Sequence, residues 1–184
     1  HLKYSKIYPK YIYWRGIDMI GGISLIGWFH TILGIPAILI GLYLLFRDRF
    51  IYINTGLAKF YLIATVITSA SSLFIYRATG SFNTAHILSV MTIFAVLFAY
   101  ILHKKRIFGF LNHYLKQLAL TGTVFFSMLP TTAEVLQRVP PGNPFANSIE
   151  DPLVQNFYLS YLVIFGIFAV YQVFKISKGE VNEI

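Results

Sequence analysis

Two histidines stand inside apolar stretches, where an ionisable side chain is expensive. His30 lies in the run 19–46 and His86 in the run 82–102, each 16 residues before the end of its run. At a rise of about 1.5 Å per residue, helices over these runs would hold both imidazoles roughly 24 Å from the same membrane face. Imidazoles within a span are rare and mark functional sites. The chemistry open to such a pair is ligation, either as two axial nitrogens for haem b or as part of a divalent-metal site.

The neighbouring residues extend this reading. His30, Gly34, Ala37 and Gly41 recur at i, i+4, i+7 and i+11, which sets one imidazole above a groove of small residues on one helix face. A flat ligand could lie there with His30 as axial donor; the same spacing equally serves a close helix–helix contact. Asn54, Ala58, Thr65, Thr68, Ser69 and Ser72 form a hydroxyl-rich stripe that reads as interhelical packing or as the lining of a polar cavity. His113, Gln117 and Thr121 share a further polar face. His113 begins its span at the membrane face opposite His30 and His86, so the three cannot hold one ion. It is a candidate ligand for a second, inner haem, yet Asn54 rather than histidine stands opposite, and His103 would have to serve instead. His103, followed by Lys104, Lys105 and Arg106, otherwise reads as solvated loop. Glu134 or Asp151 could join His30 and His86 as the third ligand of an outer metal site.

These residues need an apolar framework to position them, and the composition supplies one. Of 184 residues 57% are apolar and only 12% charged, with a mean hydropathy of +0.65. Soluble chains carry about 25% charged residues, so the bilayer is the expected solvent. The reading is an all-α integral membrane protein, an up-down bundle of about five transmembrane helices over 19–46, 51–76, 82–102, 107–130 and 153–174. Residues 1–18, rich in Lys and Tyr, are expected to lie along the interface, broken at Pro9. The first span is expected to tilt or kink near Pro36, and the fourth to stop at Pro130. Residues 131–152 form the one long loop, and 175–184 a polar tail.

The net charge of +8 lies in short loops and points to anionic lipid rather than nucleic acid. With no cysteine, disulfides, thiolate catalysis and iron–sulfur clusters are excluded. The first ten residues carry no apolar core, so no cleavable signal peptide is expected. Eight cations follow spans one, three and five or open span four (Arg47, Arg49, Lys104, Lys105, Arg106, Lys116, Lys175, Lys178), against six on the other side. This favours a cytoplasmic position for the first set, with His30, His86 and the long loop facing outward, while the N-terminal cluster of Lys3, Lys6, Lys10 and Arg15 argues the other way.

From His30 to about Pro141 the chain resembles a bacterial family of multi-span membrane proteins catalogued as domain of unknown function 2306. The likeness rests on His30-Thr-Ile-Leu-Gly34, Gly56-Leu-Ala-Lys-Phe-Tyr61, Ser71-Ser72-Leu-Phe-Ile75, Gly80-Ser-Phe82, His86-Ile-Leu-Ser-Val-Met-Thr92, His113 and Leu129-Pro130. It implies a multi-pass protein of the bacterial inner membrane with histidines near alternating span ends, and implies no activity. Asn54-Thr55 stands where the family tends to show His-Arg, and Gln117 where methionine is usual. At the level of fold the arrangement is also similar to dihaem membrane cytochromes of the b561 type.

Three functions are therefore expected as alternatives. The first is electron transfer through haem b held by His30 and His86, with a membrane redox partner. The second is a divalent-metal site of His30, His86 and Glu134 or Asp151, hydrolysing a lipid-like substrate or passing ions. The third is a non-enzymatic accessory or solute-handling protein whose histidines only pack. No nucleophile–base triad or Gly-rich phosphate loop is visible, which argues against Ser-hydrolase chemistry and ATP use.

Overall fold

The computed structural model describes residues 19–20, 23–75 and 81–181; the expected interfacial segment 1–18 lies outside them. A two-residue antiparallel ladder, β1 (Met19–Ile20) with β2 (Ile23–Ser24), precedes five helices. These are α1 (Leu25–Asp48), α2 (Gly56–Ser72), α3 (Thr84–Lys104), α4 (Leu111–Arg138) and α5 (Pro152–Ser177). Each helix packs on the next, and α1 also meets α4, so α1 to α4 close into a ring with α5 against the outside of α4. Helices α1 and α3 are diagonal, as the up-down arrangement requires.

Four helices, α1, α3, α4 and α5, are long and apolar enough to cross a membrane. Their large apolar side chains face outward, Ile32, Phe46, Phe94 and Val170 each being at least 67% exposed. Such a surface needs lipid to cover it. The expected span over 51–76 is the exception. Its helix is only 17 residues long, about 25 Å, because residues 51–55 fold as a turn. Thr55 closes that turn, its hydroxyl donating to the Tyr52 carbonyl at 3.0 Å and accepting from the Ala58 N–H.

Other boundaries also move. Met19 to Ser24 pair as the short ladder, and α1 begins only after Ser24, whose hydroxyl accepts from the Gly27 N–H. Pro36 lies within a continuous α1, and Pro130 within a continuous α4. Around Pro130, the Ser127 and Thr131 hydroxyls each bond back to the carbonyl four residues earlier, at 2.8 Å. These bonds reinforce the turns on either side of Pro130, although neither reaches the Phe126 carbonyl that the proline leaves without its helical donor. The long loop shrinks accordingly to 139–151 and folds onto α4, where Ala146 donates to the Leu136 carbonyl and packs with Ala133 and Val154.

The core gathers around α2. Tyr61 is 1% exposed and reaches the diagonal helix α4, its hydroxyl 2.6 Å from Thr123 Oγ1. The single Thr123 hydroxyl hydrogen goes to the Leu120 carbonyl, so Tyr61 is the donor. This ring is also what occupies the small-residue groove of α1. A Cβ built on Gly41 would stand 2.7 Å from Tyr61 Cε2 and 3.0 Å from Val124, whereas one on Gly34 would meet Thr68 at an ordinary 3.6 Å. The groove expected to take a flat ligand at Gly34 and Gly41 is thus filled by α2, and those glycines serve helix packing.

Gly41→Ala is therefore expected to destabilise the protein by about 1–3 kcal/mol, the usual cost of overpacking. Gly34→Ala should be neutral or slightly stabilising, since alanine favours helix by about 1 kcal/mol. Thermal unfolding of the two variants in detergent checks this; equal midpoints would show that the Tyr61 contact is not restrictive.

Candidate functional site

The outer histidines are both engaged by protein groups. His30 points its Nδ1 at α2, 3.0 Å from the Thr68 carbonyl and 3.1 Å from Ser71 Oγ. A carbonyl only accepts, so Nδ1 carries the proton and Nε2 is the lone-pair nitrogen of the neutral ring. On α3, His86 is 2% exposed and completes a capping box with Asn83. Asn83 Oδ1 accepts from the Ala85 and His86 N–H groups, and His86 Nδ1 contacts both the Asn83 amide nitrogen and its Oδ1. Phe82 stacks on the ring, 5.1 Å between centroids. Between the two histidines runs the hydroxyl stripe of α2, with Ser72 Oγ touching Ser89 Oγ of α3. The seam therefore ties α1 to α2 and α2 to α3.

The expected metal set does not assemble. Among the described residues no group of three or more His, Asp or Glu side chains could hold a metal ion. Glu134 is ion-paired with Arg138 at 2.5 Å on the same helix, although its carboxylate is near enough to act electrostatically on the His30 ring. Asp151 caps α5, accepting from the Leu153 N–H at 3.0 Å. Each expected ligand is thus engaged locally, by a helix end or by the adjacent helix.

What the tertiary structure does assemble lies at the other end of the bundle. A cavity of about 240 Å³ is lined by Ile51, Tyr52, Ile53, Asn54, His103, His113, Lys116 and Gln117. Three elements build it. The 49–55 turn is anchored by Ile51, 0% exposed, and by Ile53. The last turn of α3 supplies His103, whose Nε2 donates to Asn54 Oδ1 at 3.1 Å. The start of α4 supplies His113, Lys116 and Gln117, which share one face by their i, i+3, i+4 spacing. Asn112 fixes α4 against α3 by donating to the Leu102 carbonyl at 2.5 Å.

The lining is rich in donors. Lys116 and Gln117 are both buried, and the Gln117 Oε1 has no hydrogen-bond partner. Burial, with the Asp48 carboxylate, pushes the Tyr52 phenol above its usual range, so at neutral pH it is a protonated hydroxyl. Helix α4 starts here with no side-chain cap and no acidic residue in its first turn, leaving its positive dipole end toward the cavity. Among the described residues no carboxylate lines the site.

Two sequence expectations meet here in altered form. His113 and Gln117 do share a protected polar face, and His103 and Asn54 do come to it. His103 is half-buried and bonded rather than a solvated loop residue. Thr121 leaves the group, donating instead to Gln172 of α5 at 2.9 Å. An inner haem at His113 does not fit, because 240 Å³ falls below the roughly 300–1,000 Å³ of pockets for drug-sized ligands and cofactors. Lys116 and Tyr52 were not legible as site residues; the only signal was an i, i+3, i+4 set at the start of a span.

If His86 acts as a capping residue, His86→Gln should keep the stability of the parent, because glutamine at the same position completes a capping box. His86→Ala should lose about 0.5–1.5 kcal/mol. Equal loss in both, measured by thermal unfolding, would refute the capping role.

Comparison of the chain with protein families, with curated proteins and with solved structures finds no match, so the chemistry of this site has to be derived from its own geometry.

Proposed function

We propose that this is a multi-pass membrane protein that binds a small oxyanion, itself carrying a hydrogen, in the cavity between the 49–55 turn, α3 and α4. The observation that carries this reading is the pairing of buried Lys116 with buried Gln117 on one cavity wall. The ammonium, the imidazoles and the Tyr52 hydroxyl favour an anion, since charge-assisted hydrogen bonds are the strongest available. Gln117 Oε1 requires a donor in return. Monohydrogen phosphate meets both demands; sulfate meets only the first. The lining lacks a carboxylate among the described residues, which favours binding over hydrolysis.

The charge distribution supports a cytoplasmic position for this cavity. At its end of the bundle the described residues include nine cations (Arg47, Arg49, Lys59, Lys104, Lys105, Arg106, Lys116, Lys175, Lys178) and two acids (Asp48, Glu180). The sequence assigns six cations to the other side, Lys3, Lys6, Lys10, Arg15, Arg77 and Arg138, so the margin is nine to six; of these the described residues include Arg138, with Glu134, Glu150 and Asp151. By the positive-inside rule this excess puts the cavity on the cytoplasmic side of a bacterial inner membrane.

Titration calorimetry of the solubilised chain tests the proposal. Phosphate should bind about 10–100-fold more tightly than sulfate, the cost of leaving a buried acceptor unmet. Gln117→Leu should erase that preference, and Lys116→Met should weaken both anions at least about tenfold. Binding of neither anion to the parent, or discrimination that survives Gln117→Leu, would overturn it.

A second reading is favoured by the His30 geometry alone. Proteins orient a ligating imidazole by bonding its other nitrogen to a carbonyl, as the Thr68 carbonyl does with His30 Nδ1, which leaves the His30 Nε2 lone pair for ligation. A haem b held by His30 would supply electron transfer and make the protein an electron carrier. A Soret band in the purified protein, lost in His30→Ala, is the expected signature; its absence from haem-replete preparations would eliminate this alternative.

A further inference from the structure

A second concavity lies outside the ring of helices, where α1, α4 and α5 meet. Its volume is about 210 Å³, and its walls include Leu42 and Leu45 of α1, Val124 and Met128 of α4, and Phe165 and Phe168 of α5. The two hydroxyl residues that border it are already bonded, Thr121 to Gln172 and Tyr161 to Thr132. The groove therefore presents hydrocarbon only.

The basic end of the groove is fixed by one buried side chain. Gln172, 0% exposed, donates from Nε2 to the Arg49 carbonyl at 2.8 Å while its Oε1 accepts from Thr121. This bond holds the end of α1 against α5. Leu45 lies one turn deeper than Arg49, and Phe168 one turn deeper than Gln172. The groove faces then continue toward the headgroup level, through Leu42, Leu45 and Arg49 on α1 and through Phe168, Lys175 and Lys178 on α5.

Four cations stand there, and they differ in availability. Arg47 is bonded to Asp48 and Lys175 to Glu180. Arg49, exposed and held at a left-handed φ of 63° at the end of α1, makes no ion pair among the described residues. Lys178 lies over the Phe174 ring at 4.4 Å, with no carboxylate bonded to it among the described residues. Lys178 also feels the Glu180 carboxylate, which Lys175 already holds. An apolar trough opening beneath Arg49 and Lys178, at an end where cations outnumber acids, has the charge and polarity pattern of a lipid anion, hydrocarbon below and phosphate above. We infer that the α1/α4/α5 groove retains one acyl chain of an anionic phospholipid, with Arg49 and Lys178 meeting its phosphate.

Native mass spectrometry of the full chain, with phosphatidylglycerol and phosphatidylcholine of matched chains, provides the test. The parent should retain phosphatidylglycerol in preference, and Arg49→Gln/Lys178→Gln should cut that preference about fivefold for each cation removed. Leu42→Trp, which fills the groove, should abolish retention of both lipids; Met128→Phe is a milder filler if the first variant loses helicity. The inference is overturned if the parent holds both lipids equally, or if the double variant keeps the full preference. Lipid retention undiminished in a folded groove-filled variant would overturn it too, as would cross-linking that seats a second copy of the chain in the groove. Lys178 belongs to none of the elements that build the anion cavity, so phosphate titration of the single variant Lys178→Gln should be unchanged.

Discussion

Within hydrocarbon, an unmet hydroxyl or carbonyl costs several kcal/mol, and that constraint organises this molecule around α2. The helix is short, rich in hydroxyls and largely buried, with Tyr61, Thr65, Thr68, Ser69 and Ser71 all below 9% exposure. Nearly every polar atom on it reaches a partner. Thr68 and Ser71 bond back along the helix and receive His30; Ser72 meets Ser89; Tyr61 crosses to Thr123. Thr65 Oγ1 is the exception. These bonds fix the rotation of α1, α3 and α4 about α2 more specifically than apolar contact could, because lipid tails compete for apolar faces but offer no hydrogen bonds.

The same constraint explains why the two ends of the bundle differ. At the His30/His86 end, each imidazole Nδ1 is engaged by a protein group, although the buried His86 Nε2 is not hydrogen-bonded, and the capping box and the α1–α2 bond serve helix geometry. At the Lys116 end, a connection of seven residues, 49–55, must bridge α1 and α2 while α3 and α4 end and begin beside it. That corner leaves a polar space into which a cation, two imidazoles and an amide project. Polar groups converging on a concave space are the usual make-up of a small-ligand site. Gln172 plays a third part, since one buried amide bonds the α1 terminus and α4 together and secures α5 to the ring.

The all-helical architecture, with helices long and apolar enough to cross a membrane, was legible in the hydropathy of the chain, because runs this apolar satisfy their backbone groups most readily as helices. Spans one, three and five were legible to within a few residues at their C-terminal ends, where Arg47, Lys104 and Lys175 close them. The polar face of His113 and Gln117 was legible from spacing, as was the diagonal placement of α1 and α3. Helix ends at prolines were not: Pro130 reads as a stop, yet α4 runs through it to Arg138.

Only the tertiary structure decided what each polar residue faces. Equal depth along two helices cannot reveal that His30 turns onto Thr68 while His86 turns onto its own cap, because rotation about a helix axis depends on neighbours far away in sequence. Nor can a stripe of small residues show that Tyr61, 20 residues beyond Gly41, fills it. The cavity at Lys116 is the same case: its walls come from three elements, and their convergence depends on how α2 rotates to satisfy its own hydroxyls.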